Sequence, residues 1–387
     1  MKDTYVKKGL AVGIILLFVG AGIIPAIAQD TEKPLPTSRG NWLYVGGSGP
    51  GNYTKIQDAI NDSHDGDTVF VYSGLYTETI VIPTGIRLIG ESKNTTRITA
   101  KILSGEALIS LSSSNVTISG FTFYGIDSED SVILNTAYHY GKLRNITISD
   151  NIFNGTIANV MSFYRCEFCN FAQNTFLSEH GFGIWMYDCS NCTITNNRIN
   201  CVRGYGFDIY LSDISYCIIS NNSIISHNIG LTLEHASFTT ISNNYFYNNT
   251  RAIAMEGSSF HNSILSNYID NPPKIDTRYQ SIGILFTDFC SGIQVERNII
   301  RHWNIGIMIE DSYNINISMN TFLKNIIHAR FYQKFISGTT WNQNFWGRPR
   351  LFPKPIFGMD NSFAILPRMI QFDWHPAQKP YDITGMT

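Results

Sequence analysis

An asparagine returns at positions 151, 174, 197, 222, 244, 267, 298, 320 and 344, each with an apolar residue three before and two after. Ile148-Ser149-Asp150-Asn151-Ile152-Phe153 and Ile194-Thr195-Asn196-Asn197-Arg198-Ile199 show the frame. Ile118, Phe121 and Phe123 form an earlier copy with Phe in the asparagine place. Most steps are 22 to 25 residues and one is 31. Self-similarity at this period marks a stacked array, in which each unit buries its apolar face only against its neighbours.

The unit is not helical. Apolar and polar residues alternate at period two, as in Ile146-Thr147-Ile148 and Ile315-Asn316-Ile317, the pattern of a half-buried strand. Val, Ile, Thr and aromatics fill the runs, with Gly, Asn and Ser between them. About 23 residues suffice for three short strands and three turns, so the fold class is all-β: a single-stranded right-handed parallel β-helix of about ten or more rungs. At strand spacing of roughly 4.8 Å, ten rungs make a rod on the order of 50 Å long. Equal offsets from each asparagine then meet in space. Three before it stand Ile148, Phe171, Ile194 and Ile219, and two after it Phe153, Phe176, Ile199 and Ile224. Both are inward stacks. The asparagines themselves read as an inward ladder whose amides bond neighbouring rungs and satisfy turn backbone.

Both ends of such a rod expose strand edges and need caps. Ile56, Ala59 and Ile60 predict a short N-terminal capping helix, and the prolines at 349, 353, 355, 367, 376 and 380 predict an irregular wrapping C-terminal cap. Lys2, Lys7 and Lys8, an apolar run from Gly9 to Ile24 and Ala26-Ile27-Ala28 read as a secretory signal. The expected organisation is a signal peptide at 1–28, a linker at 29–43, the β-helix with its N-terminal cap at 44–346 and the C-terminal cap at 347–387. The chain is then secreted or displayed at the cell surface, with the N-terminal segment as an anchor if it stays uncut, and no other stretch is apolar enough to span a membrane. Charged residues make up 15% and the net charge is −2, which excludes the concentrated basic surface that nucleic acid requires.

Tyr44-Val45-Gly46-Gly47-Ser48-Gly49-Pro50-Gly51-Asn52-Tyr53, then Ile56-Gln57-Asp58-Ala59-Ile60 and Gly66-Asp67-Thr68-Val69, resembles the opening of pectin-lyase-like right-handed β-helices. The asparagine-centred rungs resemble the periplasmic copper-binding, nitrous-oxide-reductase maturation family and its secreted archaeal relatives. So does the tail, with Asn344-Phe345-Trp346-Gly347-Arg348-Pro349-Arg350 and Phe372-Asp373-Trp374-His375-Pro376-Ala377. The resemblance implies an extracellular β-helix and allows association with carbohydrate or copper.

Four sets of residues are candidates for chemistry. Cys166-x2-Cys169 and Cys189-x2-Cys192 imitate a zinc-ribbon spacing. Register instead places Cys169, Cys192 and Cys217 five before the asparagine, where Val116 and Ile146 stand. Cys166, Cys189 and Cys290 stand eight before it, with Ser112, Ala236, Ser259 and Ser312. Core thiols are the leading reading, with disulfides and a metal site as alternatives. The histidines are scattered, and His180 and His227 lie two rungs apart, too far to share copper.

Carboxylates recur at the turn closing one strand: Asp188, Asp213, Glu234, Glu256, Asp288 and Glu310 with Asp311. Asp188, Asp213 and Glu234 are the catalytic candidates for a polysaccharide lyase or glycoside hydrolase. Glu256, Asp288 and Glu310 are the candidates for gathering Ca2+. Outward Trp185, Tyr187 and Tyr210, on adjacent rungs, make a platform for a sugar ring, with Asp208, Arg203, Asp188 and Asp213 near its hydroxyls. Longer rungs add loops at Asp127–Gly141, with Tyr138, His139 and Tyr140, and at Asp270–Gln280. The leading expectation is non-catalytic binding of an extracellular glycan or cell-surface polymer, or scaffolding. A polysaccharide-cleaving enzyme and a copper-binding maturation factor are the alternatives.

Overall fold

A computed structural model describes residues 40–101, 106–124, 131–135, 141–155, 159–178, 182–201, 207–226, 229–272, 280–332, 338–359 and 369–382. The expected signal, residues 29–39 of the expected linker, Arg203, His180, His227 and most of the two long loops lie outside the described residues, and the last linker residues, 42 and 43, belong to the strand Trp42–Val45. Among the described residues no helix is long and apolar enough to cross a membrane.

The chain forms a right-handed parallel β-helix of about twelve turns, with three faces. The first face holds the longest strands, among them Asn159–Tyr164, Phe182–Tyr187, Phe207–Ser212, Ile229–Glu234, Arg251–Glu256, Ile282–Phe286 and Ile305–Glu310. The second holds three-residue strands ahead of each asparagine, such as Thr193–Thr195 and Ile218–Ser220. The third runs through twelve strands from Gly74–Thr77 to Phe345–Trp346. Rungs pair strictly in register: Ile148 lies beside Phe171, Phe171 beside Ile194 and Ile194 beside Ile219. On the third face Phe123, Phe153 and Phe176 stack at 5.1 Å, as offset aromatic rings prefer.

The asparagines stand in one vertical file. Asn174 donates from its backbone N–H and its Nδ2 to Asn197 Oδ1 (3.0 and 3.1 Å), and Asn197 does the same to Asn222 Oδ1 (2.9 and 3.0 Å). Each Nδ2 also donates to a carbonyl of the preceding rung, Asn222 to Ile194 at 2.8 Å. The donors point toward the C-terminus, and the file ends on Asp373, a group with acceptors only. Its Oδ2 accepts from Asn344 N–H, Asn344 Nδ2 and Trp346 Nε1 at 2.9, 3.2 and 3.0 Å.

Both caps are present. The helix Ile56–Asn61 buries Ile56, Ala59 and Ile60, and Glu78 accepts its first free N–H groups at 2.9 and 3.0 Å. The strand Trp42–Val45 extends the first turn by pairing with Thr68–Val71. At the other end Lys354–Met359 and Met369–Asp373 pair antiparallel and lie on the last rungs. The proline-rich tail thus contains more regular structure than its composition suggests. Pro355 is the second residue of the strand Lys354–Met359, near its start, where the missing N–H costs little.

Candidate functional site

Turns repeat as faithfully as strands. The residue six before each asparagine lies in the left-handed region, φ +49° to +63°, in every rung from Asn145 to Gly338. Asn and Gly suit that conformation and hold it at Asn145, Asn191, Gly292, Asn314 and Gly338. Phe168, Tyr216, Phe238 and His261 hold it as well. A bulky side chain there stores strain of order 1–3 kcal/mol, and such strain concentrates at functional sites. The rings lie outside: Phe168, Tyr216 and Phe238 are 54%, 58% and 44% exposed. Tyr216 and Phe238 stack at 5.0 Å with planes 5° apart, and Phe238 and His261 at 5.3 Å and 25°. Phe260 packs edge-on against Phe238 at 5.7 Å. The aromatic column was legible in the sequence, six places before Asn174, Asn222 and Asn244, but the apolar core columns drew the reading away from it.

The carboxylates run beside this ridge, at the end of the first face, and they occupy two columns rather than one. Asp188 and Asp213 sit in left-handed turn positions, whereas Glu234 and Glu256 are paired strand ends. Glu310 pairs with Tyr332 in that strand-end column, and Asp288 and Asp311 are left-handed turn residues. Sequence offset separates them: Asp188, Asp213 and Asp311 stand nine before the asparagine and Glu234 and Glu310 ten, while Gly257 and Ser258, then Asp288 and Phe289, give their two turns a second left-handed residue. Asp188 meets Arg165 at 3.4 Å and Lys142 at 3.8 Å. Asp213 and Glu234 lie 3.9 and 4.0 Å from His235 Nδ1, and Arg251 is 3.9 Å from Glu256. Burial, with Asp288 and Glu234 nearby, raises the Glu256 carboxyl above its ordinary range against the pull of Arg251. Burial first, then Asp311 and Asp288, raises Glu310. Glu256, Asp288 and Glu310 do not converge as a calcium cage would. Among the described residues, the one group of three acids, thiols or imidazoles close enough to share an ion is formed by Cys166, Cys169 and Cys192.

The expected sugar platform on the first face takes another form. Trp185 and Tyr210 are paired and point outward, but their rings are tilted by 57° at 6.5 Å, and Tyr164 meets Trp185 edge-on at 5.3 Å. Tyr210 donates its hydroxyl to Glu234, and burial with that carboxylate pushes the phenol up to about 12. Tyr187 is exposed. Asp208 is only 1% exposed and does not join them. It stands in the column of Gly183 and Gly230, where a Cβ would approach the core residues Ile199 and Phe246, because these strands begin with two successive inward positions. Trp185 meets Tyr210 at a tilt, Tyr164 stands edge-on to Trp185 and tilted against Tyr187, and the flat stack lies at the neighbouring corner.

The thiols fill the two inward columns read from the sequence. Cys166, Cys169, Cys189 and Cys192 are at most 1% exposed, and these four with Cys217 and Cys290 are free. The Sγ atoms of Cys166, Cys169 and Cys192 lie within 4.8 Å of one another, and Cys166 Sγ is 3.0 Å from Cys189 Sγ. Hydrogen bonds from Cys166 and Cys192 favour the thiolate of Cys169 and bring it down to about 5, while the bonds that Cys166 makes to Cys169, Cys189 and Cys192 push its own thiol up.

Known proteins support this architecture. The mannuronan C-5 epimerase AlgE6 A-module of Azotobacter vinelandii superposes with a TM-score of 0.56 over 74% of this chain and 94% of its own, at 16% identity. DFA-IIIase from Arthrobacter chlorophenolicus A6 without its lid superposes at 0.60 over 80% and 95%, at 12% identity. At such identities the likeness is one of fold. The Arabidopsis thaliana protein named Probable pectinesterase/pectinesterase inhibitor 12 is 30% identical over 154 residues, 38% of this chain and 26% of that protein. The chain thus spans about a quarter of the length of that relative, and none of these proteins supports an archaeal source. A family described as periplasmic copper-binding protein (NosD) matches residues 60–272, more than half of the chain. Copper in its soft monovalent form selects thiolate ligands, and the buried thiol group is a donor set of that kind. Repeat, fold and family match agree, and the chain belongs to the NosD family of periplasmic copper-binding β-helix proteins.

Proposed function

We propose that this protein is an exported, non-catalytic β-helix that binds an extended extracellular glycan along the corner between its first and second faces. One observation carries the reading. Three successive rungs hold Tyr216, Phe238 and His261 in a backbone conformation that penalises them, with their rings stacked and facing outward. Packing does not reward that strain, because the rings bury no core. A sugar ring does, by stacking its apolar face on them. Asp213, Glu234, Glu256 and Asp288 beside the ridge accept hydrogen bonds from hydroxyls. Their charge repels a polyuronate, so a neutral polysaccharide is the fitting class.

A glycan array probed with the chain tests this. Neutral polysaccharides are expected to bind, and Phe238→Asn, which keeps a residue suited to the left-handed turn, is expected to weaken binding at least tenfold. Binding that survives Phe238→Asn and Tyr216→Asn together would refute the ridge. New reducing ends or unsaturated products released from a bound polymer, and lost in Glu234→Gln, would refute the non-catalytic reading.

A further inference from the structure

The glycan ridge lies along the rod, and the two ends of the rod differ from each other. A terminal repeat keeps a solenoid soluble by a polar outer face, and the N-terminal cap has one. Its helix Ile56–Asn61 buries Ile56, Ala59 and Ile60 and leaves Asp58, Asn61 and the following Asp62 exposed. The C-terminal cap does the opposite. Across its hairpin Phe357 pairs with Ile370 and Pro355 with Phe372. Alternation along both strands turns Ile356 and Asp373 inward and leaves Phe357, Ile370 and Phe372 exposed. Phe372 meets Trp374, also exposed, at 5.0 Å. In the turn before the hairpin Leu351 and Phe352 are 93% and 79% exposed. Gln378 Nε2 donates to Arg350 O at 2.6 Å, which ties that turn to the chain beyond Trp374. Scattered exposed apolar residues are ordinary, but six gathered on one cap mark an interaction surface.

Charge identifies the partner. From Gly347 onward the chain carries five Lys and Arg against three Asp and no Glu, whereas over the whole chain acids outnumber cations by 30 to 28. One of those three acids, Asp373, is buried. Arg348, Arg350 and Lys354 bracket Leu351 and Phe352 in sequence, and Lys354 Nζ lies 5.9 Å from the Trp346 ring. Burial, then the cations Arg350 and Arg348, hold Lys354 below its ordinary value, and burial with Arg348 does the same to Arg350. The cap therefore gathers like charge beside apolar surface. We propose that it docks the rod, C-terminal end first, on an anionic phospholipid surface. Leu351 and Phe352 enter the acyl boundary, Phe372 and Trp374 sit at headgroup level, and Arg348, Arg350 and Lys354 meet the phosphates. A second copy is the other occupant such a face could take. Two-fold pairing, however, sets Arg348, Arg350 and Lys354 against the same cations of the other subunit, whereas a layer of phosphates neutralises them. The stacked ridge at Tyr216, Phe238 and His261 stays at least three rungs, roughly 14 Å, from the last asparagine rung, so this surface and the glycan reading stand independently.

The test places an environment-sensitive nitrobenzoxadiazole label on the full chain through Phe352→Cys. The parent chain taken through the same labelling is the blank, and Ile218→Cys, on an exposed position of a mid-rod strand, is the control. Phosphatidylglycerol vesicles are expected to raise the emission at 352 at least threefold and shift it to the blue, while the label at 218 stays unchanged. Phosphatidylcholine vesicles are expected to do neither, and about 0.5 M salt to reverse the effect by screening the phosphate contacts. Arg348→Gln with Arg350→Gln on the labelled background should raise the lipid needed for half the change at least tenfold, with unchanged circular dichroism. Equal response to both lipids would overturn the proposal, as would a label at 352 that stays in water whether or not the chain sediments with vesicles. So would a double variant that responds like its parent, or a blue shift that grows with protein concentration without lipid, the sign of a second copy.

Discussion

Replacing Asn222 by alanine removes one link from the middle of the amide file. The side chain accepts from Asn197 N–H and Nδ2 at 2.9 and 3.0 Å and donates to Ile194 O and Asn244 Oδ1 at 2.8 and 2.9 Å. Asn244 Oδ1 still holds the backbone N–H of residue 222 at 3.0 Å, so its loss is partial. The Asn197 backbone N–H loses its acceptor outright and the Nδ2 group keeps only its bond to Phe171 O, so two N–H bonds are stranded in a site that is 1% exposed. At about 1–3 kcal/mol for each stranded buried donor, the expected loss is about 4 kcal/mol. Guanidinium unfolding measures it, and hydrogen exchange at the Asn197 amide localises it, with protection there falling more than at distant rungs. Asn221→Gly is the control next door. That residue is exposed at φ +55°, which glycine adopts freely, and its replacement should shift stability by no more than ~0.5 kcal/mol. A loss below about 1 kcal/mol for Asn222→Ala, or unchanged exchange at Asn197, would show that the file is not what joins the rungs.

Asp373→Ala strands three buried donors at once, with the part-buried His375 N–H as a fourth, and should release the C-terminal hairpin before the rungs, seen as early proteolysis between residues 346 and 369. Gly90→Ala brings a Cβ to 2.2 Å from Gly120 O, backbone that cannot yield, and overpacking of this kind costs about 1–3 kcal/mol in thermal unfolding. His328 is held down to about 4 by burial, then by Lys354 and Arg350, below its ordinary value of 6.5. Its neutral form is therefore the folded one. The stability it contributes is present above about 6.5 and is lost as pH falls toward 4, up to about 3 kcal/mol. His328→Phe, which preserves packing against Phe322 and Trp346, should flatten that part of the pH–stability curve.

Whatever depends on register alone could be read from the sequence. The columns at Ile148, Phe153 and Cys169 are true stacks because a parallel ladder repeats each offset without error. Whatever depends on turn geometry was less legible. Asp213 and Glu234 looked equivalent because both close the same strand, yet one is a left-handed turn residue and the other a strand end. Asp208 looked outward by alternation, but two successive inward positions at the corner reverse its parity. Ring planes are invisible to spacing: Trp185 and Tyr210 align as predicted and still tilt, while Phe238 lies flat on Tyr216. The hairpin at Lys354–Met359 and Met369–Asp373 went unseen because proline content says where regular pairing is interrupted, not where it resumes.

The one-way donor file also governs how such a molecule can change length. Every internal asparagine both gives and receives, so a duplicated 23-residue unit spliced between Asn244 and Asn267 would find a matching partner above and below. The corner would grow by about 4.8 Å without disturbing either terminus. Beyond Asp373 no such splice works, since a carboxylate offers a newcomer nothing to accept. Reach along the rod is therefore adjustable by gene duplication from within, while its C-terminal end is a full stop.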